Sequence, residues 1–446
     1  MLASYMNKAP GVYQQEVFLP LQSGLPTGVP GFVGFADAIA PLAALPTGLQ
    51  FPDSLNSEIY YNADKGQLAC RGVMTQDIRD ELLALSSDPT FQQAVLFLYA
   101  IAQQQLFILY RKQDFANQSL SAPEPSNSYY LLDAINGFFE NGGVQCYVVR
   151  ADGISDREKA LKDALNALIP IVDLDLVAIP DVMILQDQAA MLRVQQAALQ
   201  HCAQLDNRMA ILDAFPSLVN GQPNSLPIQS QRTQLIANQL EPINGALYFP
   251  WVQNTPQGRL VPPCGYIAGV IARSDRTRGV FKAPANEEIL NIFDLEVQVD
   301  DAIQGELNPI GINCLRAFPG RGIRVWGART LSQDINWRYI NVRRIFLTLS
   351  RWIDRNMLWA TFETNSPFLW VRIQRELSDY LETLWQAGAL KGQTIDQAFY
   401  VKCDAQTNPP ELRDRGQVAI EVGLAPNAAA EFIIVRIVHH IDAVGT

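Results

Sequence analysis

Between residues 129 and 215 the spacing of apolar positions changes repeatedly, and each change predicts a different element. Apolar residues at helical spacing cover residues 129–140 and stop at Asn141-Gly142-Gly143, which suits a left-handed C-terminal cap. A continuous apolar run over residues 144–150 follows and reads as a buried strand. Ser155-Asp-Arg-Glu158 has the spacing of a capping box and opens a second helix. A strand over 174–179, a helix over 186–205 and a strand over 208–214 complete the series. Alternation of this kind implies a parallel or mixed α/β sheet.

Elsewhere the pattern is less regular. Pro10, Gly11, Pro20, Gly24, Pro26, Gly28, Pro30 and Gly31 exclude helix from the first forty residues. There residues 12–17 suit an extended strand and Phe32-Val-Gly-Phe-Ala36 a short buried one, so the segment reads as an arm tethered to a core. Residues 41–125 are rich in Gln and Leu, and they read as an insertion with its own small core. Within them the run over 94–110, broken by Gln103, Gln104 and Gln105, predicts a buried or partner-facing helix. It falls short of the roughly 18 apolar residues of a membrane span. Gly320-Arg-Gly322 predicts a turn between strands rather than a dinucleotide loop, since no helix-opening glycine follows at the required spacing. Helices are predicted over 342–357 and from Ser366-Pro367 to near Gly388, then strands over 417–422 and 431–441 around a turn at Gly423-Leu-Ala-Pro-Asn427. The last strand is apolar and must be paired, in part with another subunit.

Composition narrows the functional classes. With 446 residues, 48% hydrophobic and 18% charged, the chain can bury large cores, which excludes wholesale disorder. Its formal charge of −11 argues against a nucleic-acid partner. The N-terminus lacks the layout of a secretion signal, and six scattered cysteines without Cys-x-x-Cys spacing point to reduced thiols in the cytosol.

Asp152, Asp181 and Asp213 fall at predicted strand ends, where open α/β sheets place ligands, and three carboxylates there could hold a divalent cation. A metal-dependent α/β enzyme is therefore the alternative reading. Against it, no glycine-rich phosphate loop follows any strand and Asp commonly caps helices. Of three histidines, His201 lies in a predicted helix, and adjacent His439 and His440 point to opposite faces of a strand. No cofactor and no catalytic residue is expected.

Charge is distributed unevenly. From Arg316 to Arg355 stand nine arginines against two aspartates, a stretch of +7 in an acidic chain. A helix over 342–357 would stack Arg344, Arg351 and Arg355 in one outward row, opposite Val342, Ile345, Phe346, Leu349, Trp352 and Ile353. Such a row serves either as a face neutralised by the protein's own carboxylates or as a contact with an acidic partner. A nucleic-acid scaffold is a third use, less favoured because interleaved aromatics are missing.

Several of these stretches carry a family resemblance. Pro10-Gly-Val-Tyr-Gln-Gln-Glu16 and Gly28-Val-Pro-Gly-Phe-Val-Gly-Phe-Ala36 resemble the opening of contractile tail sheath proteins of phages and bacterial injection systems. So do Asn141-Gly-Gly-Val-Gln-Cys-Tyr-Val-Val-Arg150, Val325-Trp-Gly-Ala-Arg-Thr-Leu331, Trp337-Arg-Tyr-Ile-Asn-Val-Arg-Arg344 and Trp385-Gln-Ala-Gly-Ala-Leu-Lys-Gly392. The resemblance implies an α/β (α+β) fold with a mixed-sheet core built from N- and C-terminal parts. It divides the chain into an arm (1–31), a core (32–40 with 126–300), a variable insertion (41–125), a C-terminal domain (301–427) and a strand arm (428–446). It implies a structural subunit that forms stacked hexameric rings around an inner tube, contracts, and meets baseplate and terminal cap proteins, without membrane insertion. Assembly is expected in the cytoplasm, as part of a phage tail or phage-tail-like particle. The arms are expected to add strands to neighbouring subunits through Val12, Tyr13, Val17, Phe432, Ile434, Val435 and Ile437. Arg344, Arg351 and Arg355 are the candidate contact with the inner tube.

Overall fold

The computed structural model describes residues 25–431 apart from residues 36, 53, 56–58, 64–65, 72–73, 103–105, 111–128, 152–155, 186, 217, 220–221, 224–225, 238–242 and 430. Along the chain, β1 (Pro30–Gly34) precedes a lobe of three strands, β2 (Asp37–Pro41), β3 (Ile59–Asn62) and β4 (Gln67–Arg71), with helices α1 (Gln76–Leu85) and α2 (Pro89–Ala102). Then follow β5 (Leu106–Leu109), α3 (Leu131–Glu140), β6 (Cys146–Arg150), α4 (Arg157–Asn166), β7 (Leu176–Ala178), α5 (Gln188–Leu205), β8 (Met209–Asp213), β9 (Gly245–Phe249) and α6 (Cys264–Arg278). The C-terminal part supplies β10 (Ile312–Phe318), β11 (Gly322–Val325), α7 (Ile340–Asn356), α8 (Pro367–Gln386), β12 (Phe399–Lys402) and β13 (Glu421–Leu424).

Nine strands form the main sheet, in the order Glu287–Glu288, β11, β10, β9, β8, β7, β1, β6, β5. The pairs from β10 to β6 are parallel, whereas β5 and the β11 edge run antiparallel. Both faces are covered, which explains the near-continuous apolar strands. Val33, Val149, Val177, Leu212 and Leu247 pack on one side with Leu161 of α4 and Leu199 of α5. Phe32, Val148, Leu176, Ile211 and Tyr248 pack on the other with Phe138 of α3 and Ile267 of α6. Helices α3 and α6 approach so closely that a Cβ at Gly265 would lie 2.2 Å from the Ala134 carbonyl oxygen, so only glycine fits there.

The predicted alternation over 129–215 is present, with ends trimmed by up to two residues. One cap differs: Asp156, not Ser155, is the N-cap of α4 and accepts from the Lys159 N–H at 3.0 Å. The run over 94–110 is not one helix. Helix α2 ends at Ala102, and Leu106–Leu109 joins the main sheet as β5, beside β6. The lobe around β2–β4 has its own apolar cluster, including Leu68, Met74, Leu82, Phe91 and Leu98. Gly320 and Arg321 lie in the turn of the β10–β11 hairpin, and Gly322 opens β11, paired with Phe318. The strand predicted over 417–422 begins only at Glu421, because the Asn408 amide holds residue 419: Asn408 Oδ1 accepts from its N–H at 2.7 Å and Nδ2 donates to its carbonyl at 3.0 Å. Gly423 belongs to β13 rather than to the turn.

Candidate functional site

Helix α7 carries the predicted arginines, but its arginine face is not an outward row. Arg344 is 2% exposed and Arg351 is 3% exposed, and only Arg355 stands in solvent, 3.6 Å from the Asp173 carboxylate. The 3.6-residue period places the three on one stripe, and that stripe is covered by the start of the core: residues 26–29, the segment before β7, and the last turn of α6. The outward placement of Arg344 and Arg351 is thus corrected.

Arg344 grips Asp275 with both guanidinium nitrogens, at 2.7 and 2.6 Å, and reaches Asp175 at 2.8 Å. Asp175 in turn accepts from the N–H groups of Gly28 at 3.0 Å and Val29 at 2.7 Å. Arg351 donates to the Pro26 carbonyl at 2.8 Å. Burial opposes the Arg344 charge, but the two carboxylates outweigh it and hold its pKa above the ordinary arginine value; Arg351, with burial dominant, is lowered. Gly28 is required here by its φ of +67° and by packing that would set a Cβ 2.4 Å from the Ala272 Cα. Two arginines and two aspartates therefore bind residues 26–29 to three elements distant in sequence. Sequence reasoning missed Asp175 and Asp275. Asp175 is flanked by Leu174 and Leu176, and a charge inside an apolar strand signals a buried partner.

The other end of the described chain is held similarly. Arg329 pairs with Glu431 through both guanidinium nitrogens, the Nε bond being 2.9 Å. The arm residues Val12, Tyr13, Val17, Phe432, Ile434, Val435 and Ile437 lie outside the described residues.

The strand-end aspartates do not assemble a metal site. Asp152 is outside the described residues. Asp181 follows β7 at the point where the order of parallel strands reverses around β1, the usual ligand crevice of such sheets. Its carboxylate fills that crevice, accepting from the N–H groups of Phe35 at 2.6 Å and of Tyr130. Asp213 accepts from the Cys264 N–H at 2.8 Å, at the start of α6. Burial pushes each carboxyl up to about 7. Each aspartate's hydrogen bonds are thus made within the fold, and among the described residues no group of three metal-ligating side chains converges. His201 is buried beside Arg208, 3.4 Å away, and burial lowers its pKa to about 4. All six cysteines are buried and none is in a disulfide, and no described helix is long and apolar enough to cross a membrane.

The surface features are of another kind. Strands β12 and β13 form a separate two-stranded sheet, with Leu424 paired to Phe399 and Glu421 to Lys402. Around the junction of α7 and α8, Leu358, Phe362, Phe368 and Val371 are exposed, and Phe362 has a left-handed φ of 70°.

A molecule whose polar clusters tie its own segments together, and whose sheet crevice is filled by its own aspartate, is built as a structural subunit. Comparison with known proteins agrees. Residues 158–331 match the family described as phage tail sheath protein central domain, and residues 332–439 match the phage tail sheath C-terminal domain. The chain belongs to the contractile tail sheath family, whose members are structural proteins and not enzymes. It is 28% identical over 200 residues to the tail sheath protein of Vibrio phage KVP40, a match covering 44% of this chain and 29% of the phage protein. The chain thus spans less than a third of the length of that relative. Over nearly its whole length it resembles a chain in the helical sheath of the anti-feeding prophage in its contracted state. The identity is 28%, the TM-score 0.63, and the match covers 97% of this chain and 99% of that one. A chain of the PVC extracellular contractile injection system, at 24% identity and a TM-score of 0.65, shares the fold over 97% of this chain.

Proposed function

We propose that this chain is the sheath subunit of a contractile tail or injection machine, polymerising as stacked hexameric rings around an inner tube and contracting to drive the tube through a target envelope. The observation that carries this reading is the end-to-end likeness to a subunit of a contracted helical sheath. A likeness to a chain of the same system's baseplate, solved with six-fold symmetry, supports hexameric rings and a baseplate partner. The particle is assembled in the cytoplasm and closed by a terminal cap protein.

The N-terminal arm within residues 1–31 and the C-terminal strand arm, residues 428–446, add strands to neighbouring copies. The β12–β13 sheet is their acceptor: two strands alone are marginal in water, and added strands would complete the sheet. Arm exchange repeated from copy to copy is a heterologous contact and generates a helical polymer. Stored energy lies in the difference between two packings of the same interfaces, which needs no nucleotide. Arg355, the arginine of the α7 stripe that remains in solvent, is retained as the tube contact.

Electron microscopy of the purified protein, alone and with the inner tube protein, tests this reading. Hollow tubes or stacked rings are the expected result, and single copies under both conditions would overturn it.

A further inference from the structure

The chain leaves the core for the inserted lobe at Phe35, one residue past β1, and is back in the core at Tyr129 and Tyr130, just before α3. Between these passages lie β2–β4, α1 and α2, whose apolar cluster is separate from the two that flank the main sheet, and β5, which pairs with β6 at the sheet edge. The lobe thus has a core of its own, and its placement depends on how its roots are held.

One carboxylate serves both passages. Asp181 Oδ2 accepts from the Phe35 N–H at 2.6 Å, and Oδ1 accepts from the Tyr130 N–H. The Phe35 and Tyr129 rings pack beside each other, with centres 5.6 Å apart. Gly34 leaves the room that the carboxylate takes: a Cβ there would stand 2.5 Å from Asp181 Oδ2 and 2.9 Å from the Leu131 Cβ. On the returning side Arg259 donates to the Tyr129 carbonyl and to Asp133, the latter at 2.6 Å, and its guanidinium lies 4.6 Å from the centre of the Tyr130 ring. We infer that Asp181 is the clasp that sets the direction in which the lobe leaves the core. Each of its oxygens is committed to one passage, so the two are fixed to one another through a single group. The clasp sits at the C-terminal end of β1, an element end where a small change in backbone angle swings everything beyond it. Buried N–H groups need acceptors, and loss of either bond frees a root without touching the lobe's own apolar cluster. The inference concerns a single copy and stands apart from the sheath reading.

Distances between spin labels on the full chain test it, with one label at Ser87→Cys in the lobe and one at Asp163→Cys on α4. Both sites are exposed, and the native cysteines are buried. With no further change, a single narrow distance distribution is expected, and a broad one would overturn the inference. Asp181→Asn offers one acceptor oxygen to two donors and is expected to widen the distribution about twofold or more. Gly34→Ala, which pushes the carboxylate aside with its charge intact, is expected to do the same. Asp213→Asn is the control: Asp213 is also buried and likewise pushed up to about 7, but it accepts from the Cys264 N–H instead, and the width should not change. Hydrogen exchange around Leu68, Leu82 and Phe91 should stay slow in every variant, since the lobe itself remains folded. An unchanged distribution in Asp181→Asn or, where that variant does not fold, in Gly34→Ala would overturn the inference. Equal widening by Asp213→Asn would do so too, because any loosening of the core would then move the lobe. Loss of protection across the lobe would show that Asp181 serves its folding and not its direction.

Discussion

Two regions bury aspartates at opposite ends of the parallel strands, and they are satisfied in opposite ways. At the strand reversal, Asp181 and Asp213 are held by backbone N–H groups, and burial lifts both to about 7. At the arm root, Asp175 and Asp275 face Arg344 directly, at 2.6–2.8 Å. N–H groups satisfy a carboxylate without cancelling its charge, so neutral acid remains accessible near physiological pH. A guanidinium cancels the charge and joins separate segments, but it makes each partner depend on the other. The first arrangement closes a crevice; the second fastens residues 26–29 to the core.

The sharpest test of the difference removes the cation. Arg344→Met leaves Asp275 buried without a counter-charge and Asp175 with only Arg351, 3.5 Å away, and is expected to cost about 3–5 kcal/mol, seen as a large fall in the urea midpoint. Adding Asp275→Asn and Asp175→Asn should restore part of the loss; equal instability of the triple variant would mean that packing, not charge, dominates there. The next test concerns protons. With folded pKa values near 7 against an ordinary 3.8, Asp181 and Asp213 contribute stability that is full below pH 3.8 and lost as pH rises through 7. Asp181→Asn combined with Asp213→Asn should therefore flatten the pH dependence of unfolding between pH 4 and 7, by on the order of 1.4 kcal/mol per pH unit for each group. An unchanged slope would show that both are ionised throughout.

Smaller effects probe the arm root itself. Gly28→Ala places a side chain at positive φ against Ala272 and is expected to cost about 1–3 kcal/mol in calorimetry, with disturbance centred on residues 26–29. Arg355→Glu is the smallest change in stability, under about 0.5 kcal/mol because the site is exposed. Its expected effect is loss of assembly around the tube, checked by electron microscopy, and normal extended particles would remove Arg355 from that role.

Much of the core was legible from periodicity because its elements are local. Helices α3, α4 and α5 and strands β6, β7 and β8 fall where the apolar spacing put them, and the Pro367 start of α8 was marked by its own chemistry. The split of residues 94–110 into α2 and β5 was not legible, since a short apolar run fits either period until a neighbouring strand selects one. The arginine face of α7 shows a second limit. Spacing assigns residues to faces of a helix, but it does not say what packs on each face.

The sequence by itself determined the alternation of elements, the absence of a phosphate-binding loop, the family, and the grouping of Arg344, Arg351 and Arg355 on one stripe. Tertiary structure alone decided the strand order, the filling of the crevice by Asp181, and the inward fate of two arginines from that stripe. The reason is range. Helix and strand periods arise from neighbours a few residues apart, whereas Arg344 meets Asp175 across 169 positions and Arg351 meets Pro26 across 325. Only the closed fold brings such pairs within hydrogen-bond reach.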